Sequence, residues 1–298
     1  MNEKSVTIRI PCSTSNLGSG FDTLGLALGL YNQISVRRMD SPVVQLAKPI
    51  SERERDVLLP MVAEAADAFF SASGQKPFGM EVEMSGDVPA GRGFGASATA
   101  RLGIIAALNA IAGFPLGRQQ LLNLATSLEH HPDNVSPCLY GGFTVSGMVG
   151  EEVRCLAFPV SKELRFVTLV PRFQIDTAEA RKLVPGTFSK ADAAHSLNRA
   201  ALISAAFSSG NYRALKGLFD DRVHQPYRER LIPELSAIIR AGERAGAIGG
   251  WLSGSGSAVM CVTLENPDRI GAAMQHELKN SDMLVLSADN KGMEIIDQ

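Results

Sequence analysis

A glycine-rich turn that opens directly into a long apolar helix constrains the fold of this chain most strongly. Residues 78–84 alternate apolar and polar side chains, which predicts a half-buried strand. Three alternate glycines follow within residues 91–95, and an apolar helix is predicted over residues 97–111. The first turn of a helix presents unpaired N–H groups and the positive end of the helix dipole. Because glycines let the backbone approach a ligand closely, this junction favours an anion such as phosphate over a turn without a ligand.

Two common nucleotide motifs match this junction poorly. The phosphate loop G-x-x-x-x-G-K-[ST] is absent, since no Gly-Lys-Ser or Gly-Lys-Thr occurs in the chain. Gly91, Gly93 and Ala96 fit the dinucleotide pattern G-x-G-x-x-[GA]. That pattern expects an acidic residue about 20 positions later, but neither Asp nor Glu occurs between Asp87 and Glu129. A nicotinamide-dependent oxidoreductase is therefore disfavoured.

Other polar segments lie between apolar elements along the chain. A strand is predicted over residues 6–10, followed by a small, polar, glycine-containing loop over residues 11–22. A loop rich in ionisable groups spans residues 129–134, and a glycine loop over residues 249–257 leads into another strand. The apolar pattern is interrupted near residues 150–160, which indicates a domain boundary there.

Length, charge and cysteine spacing exclude several classes of protein. A chain of 298 residues can bury a sizeable core without a structural metal or disulfides. Its 29 Lys and Arg residues against 31 Asp and Glu residues lack the basic excess of a nucleic-acid binder. The four cysteines form no C-x-x-C pair, so buried reduced thiols are expected. No apolar stretch suits a signal peptide or a membrane span, and a cytoplasmic protein is expected.

Four motifs together resemble those of the GHMP kinase family, and they occur along the chain in the family's order. Residues 89–98 resemble the family's phosphate-binding motif, roughly P-x-x-x-G-L-G-S-S-A. Residues 16–25 are similar to the N-L-G-P-G-F-D-T-L-G of the members that phosphorylate homoserine, and residues 131–135, followed by Gly141 and Gly142, match the same members. Residues 252–256 resemble the third family motif, so the resemblance covers nearly the whole chain.

The resemblance implies a mixed α/β fold of the α+β class, with two domains. Residues 1–155 would form the ATP-binding N-terminal domain, of the ribosomal protein S5 domain 2-like type, in which a left-handed β-α-β unit carries the glycine loop. Residues 156–298 would form a ferredoxin-like C-terminal domain. ATP and an amino-acid substrate would meet in the cleft between the two domains.

The resemblance also implies a reaction: transfer of phosphate from ATP, with Mg²⁺, to the side-chain hydroxyl of L-homoserine, giving O-phospho-L-homoserine in threonine biosynthesis. The residues that would surround the ATP phosphates are Pro89, Ala90, Gly91, Arg92, Gly93, Phe94, Gly95, Ala96, Ser97 and Ala98. The third glycine motif contributes Ser253, Gly254, Ser255 and Gly256. Ser97 and Glu129 would hold the metal, in keeping with the preference of Mg²⁺ for oxygen ligands.

Homoserine is a zwitterion, so its site needs an acid for the ammonium group and cations for the carboxylate. Asp22 suits the ammonium group, and guanidinium groups match a carboxylate best. The residues that the resemblance places around the substrate are Asn16, Asp22, His131, Asp133, Arg181 and Arg228. Turn capping is the alternative role for Asn16 and Asp22, and a plain surface location is the alternative for both arginines.

Asn134 and Asp133 are the predicted catalytic residues. Some GHMP kinases use an aspartate as the catalytic base, and Asn134 stands where that base would lie. An amide cannot accept a proton near neutral pH, so the hydroxyl proton would leave to a phosphate oxygen or to water. Asp133 is the rival base, because it is adjacent and ionised.

Departures from the family pattern keep alternatives open. Ala96 replaces the first serine of a Ser-Ser pair, His130 stands where glycine is common, and Ser257 stands where proline is usual. The alternatives are another GHMP-family kinase of a small hydroxylated molecule and a catalytically silent nucleotide-binding protein. Retention of Ser97, Glu129 and Asp22 argues against the second. The expected partners are ATP and homoserine, with a homodimer left open and neither nucleic acid nor membrane.

Overall fold

Two β-sheets and the helices packed on them organise the chain in the computed structural model, which describes residues 5–47 and 52–297. The strands are β1 Ser5–Ser15, β2 Leu24–Met39, β3 Val44–Leu46, β4 Gly79–Gly86, β5 Phe143–Val149, β6 Glu152–Phe158, β7 Arg165–Pro171, β8 Gly249–Leu252, β9 Val259–Thr263, β10 Ser281–Leu286 and β11 Glu294–Asp297. The α-helices are α1 Glu52–Ser73, α2 Ala96–Ile111, α3 Arg118–Glu129, α4 Val135–Tyr140, α5 Thr177–Lys182, α6 Lys190–Ser208, α7 Gln225–Arg228, α8 Leu235–Ala245 and α9 Pro267–Glu277. Short 3₁₀ turns cover Tyr212–Leu215 and Glu229–Leu231.

The first sheet carries the predicted strand, glycine turn and helix. Its strands run in the order β11-β1-β2-β4-β3, and β5 pairs with both β2 and β6. Alternate residues of β1, such as Ile8 and Ile10, share one core with Phe69 of α1 and with Leu102 and Ile105 of α2. Helix α2 is apolar on most of its surface because the sheet and two neighbouring helices, α1 and α3, cover it.

The prediction of a loop over residues 11–22 is wrong for residues 11–15, which belong to the long strand β1. After a register shift between Pro11 and Cys12, residues 12–15 continue to pair with β2 and are buried. Small polar residues are tolerated there because tertiary partners satisfy their hydroxyls. One example is Thr14, whose Oγ1 accepts a hydrogen bond from Trp251 Nε1 at 3.0 Å. Only residues 16–23 form the connection to β2.

The second sheet has four antiparallel strands in the order β10-β7-β9-β8. Numbered along this part of the chain, the order is 4-1-3-2, that of the predicted ferredoxin-like sandwich. The prediction of a glycine loop over residues 249–257 is wrong for its first four residues, which form strand β8. A Cβ on Gly250 would lie 2.6 Å from the carbonyl oxygen of Met260, so a glycine is needed for close packing in this strand.

The chain passes from the first sheet to the second near the predicted domain boundary. Strand β6 keeps residues up to Phe158 in the first sheet, and the second sheet begins with β7. At the other end of the chain, β11 returns to the first sheet, with Ile295 opposite Ile8. The division at residues 155 and 156 stays a prediction. Within the described ranges, none of the helices combines the length and apolar character that crossing a bilayer requires.

Candidate active site

The glycine loop and the start of α2 form one end of the candidate site. Gly91, Gly93 and Gly95 all have left-handed φ values, of 66°, 83° and 65°. Helix α2, all of it within the described chain, begins with neither a side-chain cap nor an acid in its first turn. The free N–H groups and the helix dipole therefore remain available to a phosphate group.

The space beside two of these glycines is filled by protein. A Cβ on Gly93 would lie 2.0 Å from the carbonyl oxygen of Ser253, and one on Gly95 would lie 2.3 Å from Ser13 Oγ. The expectation that the missing Cβ atoms leave room for phosphate is therefore wrong at residues 93 and 95. Glycine is needed there because β1 and the third glycine motif pack directly against the loop.

Hydrogen bonds join the third glycine motif, residues 253–256, to β1, to the residue that follows β1 and to the glycine loop. Ser253 Oγ donates to the carbonyl of Gly93 at 2.6 Å and lies 2.8 Å from Thr14 Oγ1. Asn16 Nδ2 donates to the carbonyl of Gly254 at 3.1 Å. Trp251 is fully buried and stacks on Phe219, which anchors the strand leading into the motif.

Ser97 and Glu129, the two predicted metal ligands, lie together. Ser97 Oγ at the start of α2 donates to Glu129 Oε2 at the end of α3 over 2.9 Å. Arg101, one turn further along α2, donates to the other oxygen, Oε1, at 2.6 Å, and its second nitrogen pairs with Glu64. The Glu129 side chain is only 6% exposed. A hydroxyl and a carboxylate oxygen side by side next to the glycine loop fit the ligands that Mg²⁺ prefers.

The predicted ammonium ligand Asp22 is already paired with the predicted carboxylate ligand Arg181. Two guanidinium nitrogens of Arg181 donate to the two oxygens of Asp22, each at 2.8 Å. Asn16 Oδ1 accepts the backbone N–H of Asp22 at 3.0 Å, so Asn16 caps this turn, as the alternative reading proposed. Side-chain exposures of 42% for Arg181 and 33% for Asp22 leave the pair open to a ligand.

Arg228 is a buried cation beside this pair. The residue is 2% exposed, which overturns the surface alternative. Its Nη1 donates to the carbonyl of Gly254 at 2.9 Å and to His224 Nδ1 at 3.2 Å, and in the described chain no carboxylate forms an ion pair with it. Burial, reinforced by the charge of Arg181, lowers the pKa of Arg228 to about 10. An anionic ligand would relieve this desolvated charge.

His131, Asp133 and Asn134 lie on the turn between α3 and α4. Asp133 is buried, with Oδ1 2.9 Å from His131 Nδ1. Burial works against a charge on His131, but the hydrogen bond and charge of Asp133 outweigh it and raise the pKa of His131. Asn134 Oδ1 accepts from Ser13 Oγ at 2.9 Å and its Nδ2 donates to Ser15 Oγ at 3.1 Å, so both ends of the amide are held by β1.

Sequence reasoning missed several residues that organise this site. They are Ser13, Thr14 and Ser15 of β1, together with Arg101 and His224. The one local signal was the run of three small hydroxyl residues after an apolar strand, which resembles a loop until its buried partners are known. Arg101 and His224 carry no local signal, because their partners are far away in sequence.

Comparison with protein-family models gives two matches. Residues 60–142 match GHMP kinases N terminal domain, and residues 198–280 match GHMP kinases C terminal. The first range contains the glycine loop and Glu129, and the second contains Arg228 and the third glycine motif.

Curated relatives match over nearly their whole length. A homoserine kinase from Moorella thermoacetica is 37% identical over 272 residues, which covers 90% of each chain. A homoserine kinase from Aquifex aeolicus is 33% identical over 298 residues, covering 97% of this chain and 99% of the relative.

Solved structures share the fold. A homoserine kinase from Cytophaga hutchinsonii superposes with a TM-score of 0.87 at 24% identity, covering 99% of this chain and 98% of the other. A mevalonate diphosphate decarboxylase from Staphylococcus aureus gives a TM-score of 0.75 at 17% identity, covering 99% of this chain and 98% of the other. The same architecture therefore carries different chemistries, and the substrate must be argued from the site.

Proposed function

The chain belongs to the GHMP kinase family, and we propose that it transfers the γ-phosphoryl group of ATP to the side-chain hydroxyl of L-homoserine. The product is O-phospho-L-homoserine, an intermediate of threonine biosynthesis. The observation that carries this proposal is the set of opposite charges beside the glycine loop: the Asp22–Arg181 pair next to the buried Arg228. The homoserine kinases among its relatives support the same substrate.

The substrate zwitterion complements these three side chains. Its ammonium group would take the place of Arg181 on Asp22, and its carboxylate would accept N–H groups from Arg181 and Arg228. A partly exposed ion pair is worth about 1 kcal/mol or less, so opening the Asp22–Arg181 pair costs little. Asn16 would support this position by holding the loop of Asp22, and His131 would support it by its hydrogen bond with Asp133.

The phosphate groups of ATP are assigned to the loop over residues 89–98 and to the start of α2, with the third glycine motif packed behind the loop. Ser97 Oγ and Glu129 Oε2 would hold Mg²⁺, whose charge would offset that of the phosphate oxygens during transfer. Arg101 holds the other oxygen of Glu129 and so fixes the direction in which Oε2 points.

Positioning and charge, rather than a side-chain base, would drive the reaction. Asn134 cannot accept a proton, and the hydroxyls of Ser13 and Ser15 fix its amide. Asp133 is engaged with His131, which suits a residue that orients the substrate. The hydroxyl proton would leave to a phosphate oxygen or to water as the new O–P bond forms and the bond from the γ-phosphorus to the bridging oxygen breaks, which releases ADP.

We place the enzyme in the cytoplasm, because all four cysteines are free thiols and none pairs in a disulfide among the described residues. A homodimer stays a prediction that sedimentation equilibrium of the full chain tests. The alternatives are another kinase of this family with a different hydroxylated substrate and a catalytically silent nucleotide-binding protein.

An ADP-release assay with homoserine, threonine, serine and mevalonate tests the proposal. We expect the highest kcat/KM with homoserine. The matched variant Asp22→Asn keeps the shape of the side chain but loses its charge, so it should raise KM for homoserine and leave KM for ATP nearly constant. Preference for mevalonate, which has no ammonium group, would favour another family kinase, and absence of ADP release with every substrate would favour the silent protein.

A further inference from the structure

His224 lies fully buried between the loop that carries Asp22 and the guanidinium group of Arg228. Its Nε2 is 2.7 Å from the carbonyl oxygen of Gly18, and its Nδ1 is 3.2 Å from Arg228 Nη1. Its ring stacks on Phe21, with centroids 5.2 Å apart and an interplanar angle of 25°. The imidazole therefore contacts both halves of the proposed homoserine site.

The two hydrogen-bond partners of the ring decide which of its nitrogens carries the hydrogen. A carbonyl oxygen can only accept, so Nε2 must carry the hydrogen that it donates to Gly18. A guanidinium group can only donate, so Nδ1 must offer its lone pair to Arg228. The ring is thus the neutral Nε2–H tautomer. Burial and the charge of Arg228 lower the pKa of His224 and outweigh the Asp221 carboxylate, whose Oδ2 lies 3.5 Å from Nε2 and favours a charged ring.

The backbone around His224 is also held firmly. Asp221 Oδ2 accepts the N–H groups of His224 and Gln225, each at 2.8 Å. Gln225 Oε1 accepts the N–H of Leu252 in β8 at 2.7 Å. The ring is therefore positioned by the second sheet while it binds the loop of the first sheet through Gly18.

The Phe21 ring completes this link. The guanidinium carbon of Arg228 lies 5.3 Å from the ring centroid of Phe21, and that of Arg181 lies 5.4 Å from it. His224, Arg181 and Arg228 thus share one aromatic platform, and Phe21 directly precedes Asp22 in the chain. Movement of the imidazole would disturb the cationic and the anionic side of the site together.

We propose that His224 is a positioning residue for homoserine. Its Nδ1 lone pair directs the Arg228 guanidinium group towards the substrate carboxylate, and its contacts with Gly18 and Phe21 fix the loop that presents Asp22 to the ammonium group. His224 touches no reacting atom. This inference rests on the proposed homoserine site, and it adds that a neutral imidazole sets the distance between the anionic and cationic halves of that site.

Two variants separate the two contacts of the ring. In His224→Asn the amide oxygen can occupy the position of Nδ1 and accept from Arg228, while the contact with Gly18 is lost. In His224→Gln the longer amide reaches the position of Nε2 and can donate to Gly18. Arg228 then loses the acceptor Nδ1 and keeps the backbone carbonyls of Gly254 and Ala180. A hydrogen bond to a charged group corresponds to roughly a tenfold change in binding or more.

The test compares wild type with both variants by steady-state kinetics and by calorimetric homoserine binding to the nucleotide-free enzyme. We expect His224→Gln to raise KM and Kd for homoserine about tenfold or more, and His224→Asn to raise them about threefold at most. KM for ATP should stay nearly constant in both, and ¹⁵N NMR of wild type should show the neutral Nε2–H ring.

Equal losses in the two variants, or parallel changes in KM for homoserine and ATP, would reduce His224 to a packing residue and overturn the inference. A protonated ring at pH 7 would overturn it as well. If His224→Gln does not fold, His224→Asn must still retain homoserine binding for the inference to stand. Absence of homoserine turnover in wild type would instead count against the proposed function.

Discussion

Replacing Gly93 by alanine should destabilise the fold itself, beyond any effect on nucleotide binding. The new Cβ would lie 2.0 Å from the carbonyl oxygen of Ser253, a backbone atom that cannot turn away. A φ of 83° adds about 1–2 kcal/mol for a residue with a Cβ. Overpacking typically costs about 1–3 kcal/mol more, so the sum is about 2–5 kcal/mol.

Gly113 provides a matched control for this variant. It has the same φ of 83°, but no atom of the described structure lies within 4 Å of the position that a Cβ would take there. Gly113→Ala should therefore carry the conformational cost of about 1–2 kcal/mol alone. The difference between the two variants isolates the contact between the glycine loop and Ser253.

Thermal unfolding by circular dichroism measures both variants. At about 2 °C per kcal/mol, Tm should fall by about 4–10 °C for Gly93→Ala and by about 2–4 °C for Gly113→Ala. ATP affinity should fall only in Gly93→Ala, because Ser253 Oγ and the Gly93 carbonyl, now 2.6 Å apart, must separate. Equal losses of Tm in the two variants would show that the loop yields freely and would refute the reasoning.

Three other changes test the rest of the site. Glu129→Gln should lower kcat at limiting Mg²⁺ by about a hundredfold or more while the far-ultraviolet circular dichroism stays that of wild type, and a wild-type rate would remove Glu129 from the metal site. Asp133→Asn should raise KM for homoserine and keep single-turnover transfer within about tenfold, whereas a loss of about a thousandfold at unchanged affinity would make Asp133 the base. Because burial lowers the pKa of His224, the unfolded chain binds more protons below pH 6.5 or so, and the free energy of unfolding should decrease as pH falls from there. Urea titrations at several pH values should show this slope in wild type and a weaker one in His224→Asn.

Local patterns predicted the junction that carries the glycine loop. Alternation in β4 and the apolar helix α2 are properties of neighbouring residues, and both elements were predicted within a few positions. Strand β1 was predicted too short because Ser13, Thr14 and Ser15 resemble a loop in isolation. Their hydroxyls are satisfied by Asn134, Trp251 and Ser253, which no local pattern could reveal.

The reasons for glycine in this loop could not be predicted from the loop itself. Left-handed backbone at residues 91, 93 and 95 follows from glycine in a tight turn, but the atoms that exclude a side chain belong to distant segments. His130 gives a second example. It has a left-handed φ of 68° at the end of α3. Glycine adopts this conformation at the lowest cost, which explains why glycine is common at this position in the family.

The candidate site joins groups that are far apart in sequence, so their contacts could not be read from spacing. Asp22 and Arg181 are separated by 159 positions, and Ser97 and Glu129 by 32. Only the resemblance placed each pair in one site. Arg101 and His224 could not be predicted, because they contact other site residues and their positions belong to none of the four family motifs.

Selection of an amino acid over other hydroxylated molecules would arise from the contrast between the two arginines. The Asp22–Arg181 pair is partly exposed and weak, so it opens at small cost, but only a ligand with both charges can satisfy both of its halves. Arg228 is already buried and has no carboxylate partner in the described chain, so a substrate carboxylate would gain more free energy there than in water. A neutral alcohol would leave Arg228 uncompensated and the ion pair closed. The charge arrangement thus favours zwitterions before the hydroxyl reaches the phosphate.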